Sequence, residues 1–263
     1  MTDLLVRGAE GVSPALRVRA AASVAMTECL RIQASARPQS RPAVLFGLGP
    51  LTTDARAWYR GALGELQVAR VLRALPAGWR MLCSADPDVA QLLIGPAGVF
   101  TIHTRDHVGQ RVIVGDGSLL VNGRRTNHLA DARHEAVRAS RLLSTGVGET
   151  VDVTPVIAIV DPGSLQFGRF RPLDVIVLAS PQLARVLLRR PRRLTDDAAA
   201  ALVARATTGG TWHTAEHLVD ETRRLETRFG RLQDAVRAAA RRRAAWLLGV
   251  GGLLAATLFA VLI

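Results

Sequence analysis

The chain has 263 residues and a formal charge of +12, and its 34 basic side chains are all arginine. Without lysine it lacks the fixed ammonium group that P-loop ATPases, protein kinases, Schiff-base enzymes and Ser-Lys hydrolases require. Two cysteines, Cys29 and Cys83, are too few for a disulfide framework and stand in no metal-ligand spacing, so both read as reduced thiols. A lysine-free, Ala- and Arg-rich composition also fits the coding bias of a GC-rich bacterial genome. The net positive charge calls for an anionic partner: nucleic acid, or anionic lipid at a membrane surface.

In chain order, residues 1–50 show no sustained periodicity beyond a short helix around Ala15 to Ile32. They end in the Pro- and Gly-bearing run Arg41 to Pro50, and read as an appendage or linker. No uninterrupted apolar run of signal-peptide type occurs in Met1 to Leu30. From Thr52 the apolar spacing becomes helical through Leu75, with Thr52, Thr53 or Asp54 as cap and Pro76 and Gly78 as stop. Arg80 to Cys83, Val89 to Ile94 and Val99 to Thr104 then read as an antiparallel meander, the last two joined by Gly95-Pro96-Ala97-Gly98. Arg111 to Val114 and Ser118 to Val121 form a hairpin, and His128 to Leu143 a helix. Val153 to Val160 and Val175 to Leu178 are buried strands of the same sheet. Helices follow at Pro181 to Arg189, Thr195 to Ala206 and Trp212 to Arg243. The expected fold is α/β, one mixed sheet flanked by helices over residues 51–206, with a basic linker helix over 207–243.

Ala244 to Ile263 carries no charge. At about 1.5 Å rise per residue it reaches roughly 30 Å, the hydrocarbon thickness of a bilayer. Arg241, Arg242 and Arg243 precede it and Trp246 sits near its start, an order that places a single C-terminal transmembrane helix with the preceding domain on the cytoplasmic side of a bacterial plasma membrane.

The segment Gly61 to Leu143 resembles the nuclease-related domain family of PD-(D/E)xK nuclease-like proteins, which have a restriction-endonuclease-like core. The likeness rests on Gly64-Glu65, on Leu92-Leu93-Ile94-Gly95-Pro96-Ala97-Gly98-Val99-Phe100, and on Asn122-Gly123. It implies a site in which acidic residues from the first helix and two adjacent strands hold Mg or Mn, with a lysine helping to activate water. Glu65 is the retained acid. Where the family has an acid, any residue and then lysine, this chain reads His103-Thr104-Arg105; where the family has Asp-Ile-Asp-His, it reads Asp88-Val89-Ala90-Gln91. A glutamine of the next helix is replaced near Asp131. The family-equivalent positions Glu65, Asp88, His103 and Arg105 thus describe a degenerate catalytic site, without an expected resident cofactor.

Glu65 shares a helical face with Val68, Ala69 and Leu72, so its carboxylate needs a counter-charge, and an ion pair to Arg105 is expected. Two alternatives stand beside the degenerate reading. One is an active metal-dependent nuclease with an altered ligand set drawing on His103 and Asp88. The other is a membrane-side scaffold that self-associates through residues 212–243, along Leu218, Leu225, Phe229, Leu232 and Val236. His103, His107, His128 and His134 fall in one region but carry no ligand spacing. His213-Thr214-Ala215-Glu216-His217 matches the inverted zinc-protease pattern, but such enzymes need a third ligand and a substrate cleft, and with only Glu221 and Glu226 following on the same basic helix it reads as a solvated helix face.

Overall fold

A computed structural model describes residues 22–82, 91–115, 117–145, 150–208 and 219–262, the last stretch with side chains over 224–251. The chain divides into two compact units, one holding residues 60–222 and the other residues 25–59 with 223–263.

The larger unit is α/β. Helix α3 (Thr53–Leu72) enters it from Arg60 onward. Strands β1 (Arg80–Leu82), β2 (Gln91–Gly95) and β3 (Gly98–Asp106) form the antiparallel meander. Strands β7 (Val153–Val160) and β9 (Ile176–Ala179) then add in parallel, giving the order β1-β2-β3-β7-β9. Their runs of Val, Ile and Leu lack polar alternation because both faces of this sheet are covered. On one face Phe100, Ile102, Val156, Ala158 and Val160 pack with Val68 and Leu72 of α3. On the other, Ile157 and Ile159 pack with Leu129 and Ala132 of α4 (His128–Ser144), while Val99 meets Ala139 and Leu143 of the same helix. Helices α5 (Leu183–Leu188) and α6 (Asp196–Thr208) complete the unit.

The hairpin expected in the same sheet builds a second one. Strands β4 (Arg111–Gly115), β5 (Ser118–Val121), β6 (Arg124–Thr126) and β8 (Ser164–Phe167) pair in the order β6-β5-β4-β8. Val112, Val114 and Leu119 are fully buried against the α4 side of the first sheet, so the hairpin is a covering layer, and the single mixed sheet is corrected to two.

The smaller unit is helical: α1 (Ser23–Ala34), α2 (Arg41–Phe46), the first turns of α3 and α7 (Val219–Leu262). Arg41 to Pro50, read above as linker, contains α2. The Ser40 hydroxyl accepts from the Ala43 amide, Pro42 occupies the first turn, and Gly47 closes the helix at φ 66°. Cys29 is buried beside Ala55 and Phe229 beside Tyr59, with ring centroids 5.5 Å apart. Phe229 of the expected self-association seam is therefore buried within its own chain. Helix α7 runs without interruption through Arg243. Among the described residues no helix is long and apolar enough to cross a membrane. Most of the expected span falls on residues 252–263, outside the described side chains.

Candidate functional site

Polar side chains gather at the carboxyl ends of the parallel strands, where α/β sheets present ligand-binding crevices. Strand alternation divides them between two faces.

On the α3 face, Gly64 sets the distance. A Cβ there would stand 3.0 Å from Val160 Cγ2 and 3.5 Å from Thr104 Cγ2, so the absent side chain lets the helix lie directly on β3 and β7. The same approach half-buries Glu65, and burial pushes its carboxyl up to about 7, against a smaller opposing pull from Arg105. Arg60 pairs with Asp106 at 3.3 Å. The Gln67 amide donates to Asp161 Oδ1 at 2.9 Å and to Ser180 Oγ at 3.4 Å, joining the helix to the ends of β7 and β9. Asp161 holds a left-handed φ of 38°, aiming the chain out of β7 toward that contact.

His103 and Arg105 stand on the α4 face. Thr104 touches the α3 side, and its neighbours in β3 pair in register with Ile157 and Ile159, which pack under α4. The expected Glu65–Arg105 ion pair is therefore corrected. The two groups sense each other's charge, but among the described residues no ion pair joins them, because β3 lies between. Burial lowers the Arg105 pKa, and Asp131 of α4 is its leading anionic neighbour, ahead of Glu65. His103 is 8% exposed with no partner for Nε2, and burial reinforced by Arg105 drives its pKa down to about 4.

His107 and His128 complete this side. The His107 Nδ1–H donates to Gln110 Oε1 at 2.9 Å, which leaves its Nε2 lone pair to accept from the His128 Nε2–H at 3.1 Å. That bond requires the accepting His107 ring to be neutral. Burial lowers both pKa values, His128 to about 4 with help from Arg105 and His107.

The four family-equivalent positions thus separate. Glu65 is on one face, His103 and Arg105 on the other, and Asp88 lies outside the described residues, as does the His213 to His217 stretch. His134 is exposed on α4. Gln67, Asp161, Ser180 and the Arg60–Asp106 pair had no motif to mark them; the ending of apolar runs at Asp106, Asp161 and Ser180 was the available signal.

A divalent ion does not fit what these residues offer. The Glu65 carboxyl is protonatable near neutral pH, Asp106 and Asp161 are engaged by Arg60 and Gln67, and the Arg105 guanidinium across the strand cannot deprotonate. Among the described residues no three His, Cys, Asp or Glu converge as ligands. A cavity of about 460 Å³, lined in part by Ala97, Val99, Leu202, Arg193 and Arg205, lies at the amino ends of β3 and β7, away from this cluster. Compared with protein-family models, curated proteins and solved structures, the chain matches none.

Proposed function

We propose that this chain is a membrane-tethered, nuclease-related domain whose inherited site is catalytically degenerate and whose arginines bind nucleic acid. The observation that carries the binding reading lies between β8 and β9. The Arg171 guanidinium stands 4.3 Å over the Phe167 ring and Arg169 5.5 Å over Phe170, whose side chain is 62% exposed. Planar cations stacked on accessible rings are what a single strand needs, with phosphate contacts for charge and a face for a base. Arg124 and Arg125 are exposed on β6, at the other edge of the same sheet. The loss of metal chemistry is supported by the separation of Glu65 from His103 and Arg105 and by the raised Glu65 pKa. The tether is supported by the uncharged sequence after Arg243 and by the exposure of each residue from Arg241 to Gly251.

The test is binding of a fluorescent single-stranded oligonucleotide to the full chain in nanodiscs, between about 50 and 200 mM salt. Affinity should fall steeply with salt, and Arg169→Gln with Arg171→Gln should lower the log–log slope by about 1.4, the single-strand value for two phosphate contacts. A salt-independent affinity overturns the proposal. Mn- or Mg-dependent cleavage abolished by Glu65→Ala would establish the active nuclease in its place.

A further inference from the structure

Helix α2 is held firmly yet buries none of its residues. Ser40 caps its start, Gly47 closes its end, and the Gln39 amide donates to the carbonyls of Leu48 at 2.7 Å and Gly49 at 2.6 Å. Six residues have no intrinsic helical stability in water, so this fastening holds the helix for a purpose other than core packing. What it displays is apolar: Val44, Leu45, Phe46 and Leu48 are between 40% and 56% exposed.

These side chains stand beside the start of the uncharged stretch of α7. The Trp246 indole N–H donates to the Leu45 carbonyl at 3.2 Å, and the Phe46 and Trp246 ring centroids are 4.9 Å apart. Gly47 backs onto Ala239, where any Cβ would collide with the Ala239 carbonyl, so α2 is seated against the last basic turns of α7. Immediately beyond, Leu247, Leu248 and Val250 are 53% to 77% exposed. The result is one apolar collar around Trp246. Exposed arginines flank it in the chain: Arg37 ahead of α2, Arg41 at its first position, and Arg241, Arg242 and Arg243 on α7. A continuous exposed apolar surface on a soluble chain marks a binding face, and a cationic flank selects its partner. Aromatic and apolar side chains at headgroup depth, with arginine just outside, match an anionic bilayer interface.

We propose that α2 and Leu48 lie in the interface of an anionic leaflet, as a second membrane contact that braces the entry of α7. The inference rests on the tethered reading above and adds an element that the helix spacing of the C-terminus does not contain. Its chemical partner is phospholipid with anionic headgroups.

The test places a nitroxide at Leu45→Cys in the full chain carrying Cys83→Ser. Cys29 stays unlabelled, being buried with its thiol pushed up to about 11. Labels at Arg31→Cys and Leu248→Cys serve as references, in vesicles of phosphatidylcholine and phosphatidylglycerol. Residue 45 should collide with oxygen in preference to a water-soluble nickel chelate, as residue 248 does, while residue 31 shows the reverse. A Val44→Glu, Leu48→Glu double variant should return residue 45 to the aqueous pattern with residue 248 unchanged. If residue 248 is lipid-exposed and residue 45 is as chelate-accessible as residue 31, the brace is refuted and the tether stands. If the chain fails to float with vesicles and residue 248 is aqueous, the tether itself falls and the brace with it. Shielding of residue 45 from both probes, with dipolar broadening between labelled chains, would assign the collar to a second copy of this chain and refute the lipid assignment.

Discussion

The two compact units treat their large apolar side chains in opposite ways. In the α/β unit, Leu92, Leu93, Ile94, Phe100, Ile157 and Ile159 are at most 1% exposed, and outside the Phe170 to Leu173 loop the exposed members, such as Val108, Val137 and Leu188, lie far apart in sequence. In the helical unit, Val44, Leu45, Phe46, Leu48, Trp246, Leu247 and Leu248 are exposed together. Isolated exposed apolar residues are ordinary on any protein, whereas a contiguous set has to be covered by something. Exposure alone therefore does not separate the two units, and contiguity does.

The sharpest way to break this contrast is a matched pair of truncations. Ile157→Ala removes a fully buried side chain at the centre of the first sheet and should cost about 2–5 kcal/mol by urea or guanidinium unfolding. Leu45→Ala, 56% exposed, should stay within about 0.5 kcal/mol in the same assay. Equal losses would mean that α2 packs against protein and would end the distinction. Gly47→Ala should fall between them. Its φ of 66° is a left-handed position that costs an L-residue about 1–2 kcal/mol, and the collision with the Ala239 carbonyl adds to that. A circular-dichroism melt of the full chain reads the loss.

Next in size is Glu65→Gln, which probes how far α3 buries a charge. The folded carboxyl has its pKa raised to about 7, above the unfolded value near 4.5, so folding favours the protonated form. Stability linked to this group is complete below pH 4.5, falls as pH rises toward 7, and is flat beyond. Glutamine, which cannot ionise, should leave stability unchanged near pH 4 and raise it by on the order of 2 kcal/mol at pH 8. His103 and His128 act oppositely. Their pKa values are lowered to about 4 from 6.5, so their part of the stability is lost as pH falls through that interval. The difference between variant and wild type at each pH isolates Glu65, and a difference that does not grow with pH refutes its burial as a charge.

How much of this was legible in the sequence depends on the kind of signal. The apolar runs at Val99 to Thr104 and Val153 to Val160 gave their strands within two residues, because a strand covered on both faces needs continuous Val, Ile and Phe. The β4–β5 hairpin was legible too, but not that it begins a second sheet. Arg124–Thr126 and Ser164–Phe167 are short and polar edge strands, recruited by pairing with β5 and β4 rather than by their own pattern. Helix α2 had its full set of punctuation in Ser40, Pro42 and Gly47, but Pro and Gly so close together read as a loop. At the site, period-two alternation correctly put His103 and Arg105 on one side of β3. Which helix covers that side is decided by the seating of Gly64 on Val160 and Thr104, a tertiary fact that alternation does not contain.

The smallest predicted stability effect concerns the segment that carries the proposed nucleic-acid contact. Arg133 of α4 grips Asp174 through Nε at 2.5 Å and Nη2 at 3.0 Å, and this hydrogen bonding holds the Asp174 carboxyl below the usual range. Asp174 is 57% exposed, so screening limits the pair to under about 1 kcal/mol, present above the unfolded carboxylate pKa and lost as pH falls through the lowered folded one. Asp174→Asn should therefore barely shift the unfolding midpoint at pH 7. The pair has a second consequence, because it ties down the far end of the Phe167 to Asp174 stretch, in which Phe170 and the fully exposed Leu173 have no core to hold them. Releasing that end adds conformational freedom that binding must remove again, and oligonucleotide affinity should drop by roughly threefold to tenfold at unchanged salt slope. A loss of slope instead would mean that Asp174→Asn had altered phosphate contacts directly, and an unchanged affinity would show that the Arg–Phe segment keeps its shape without α4.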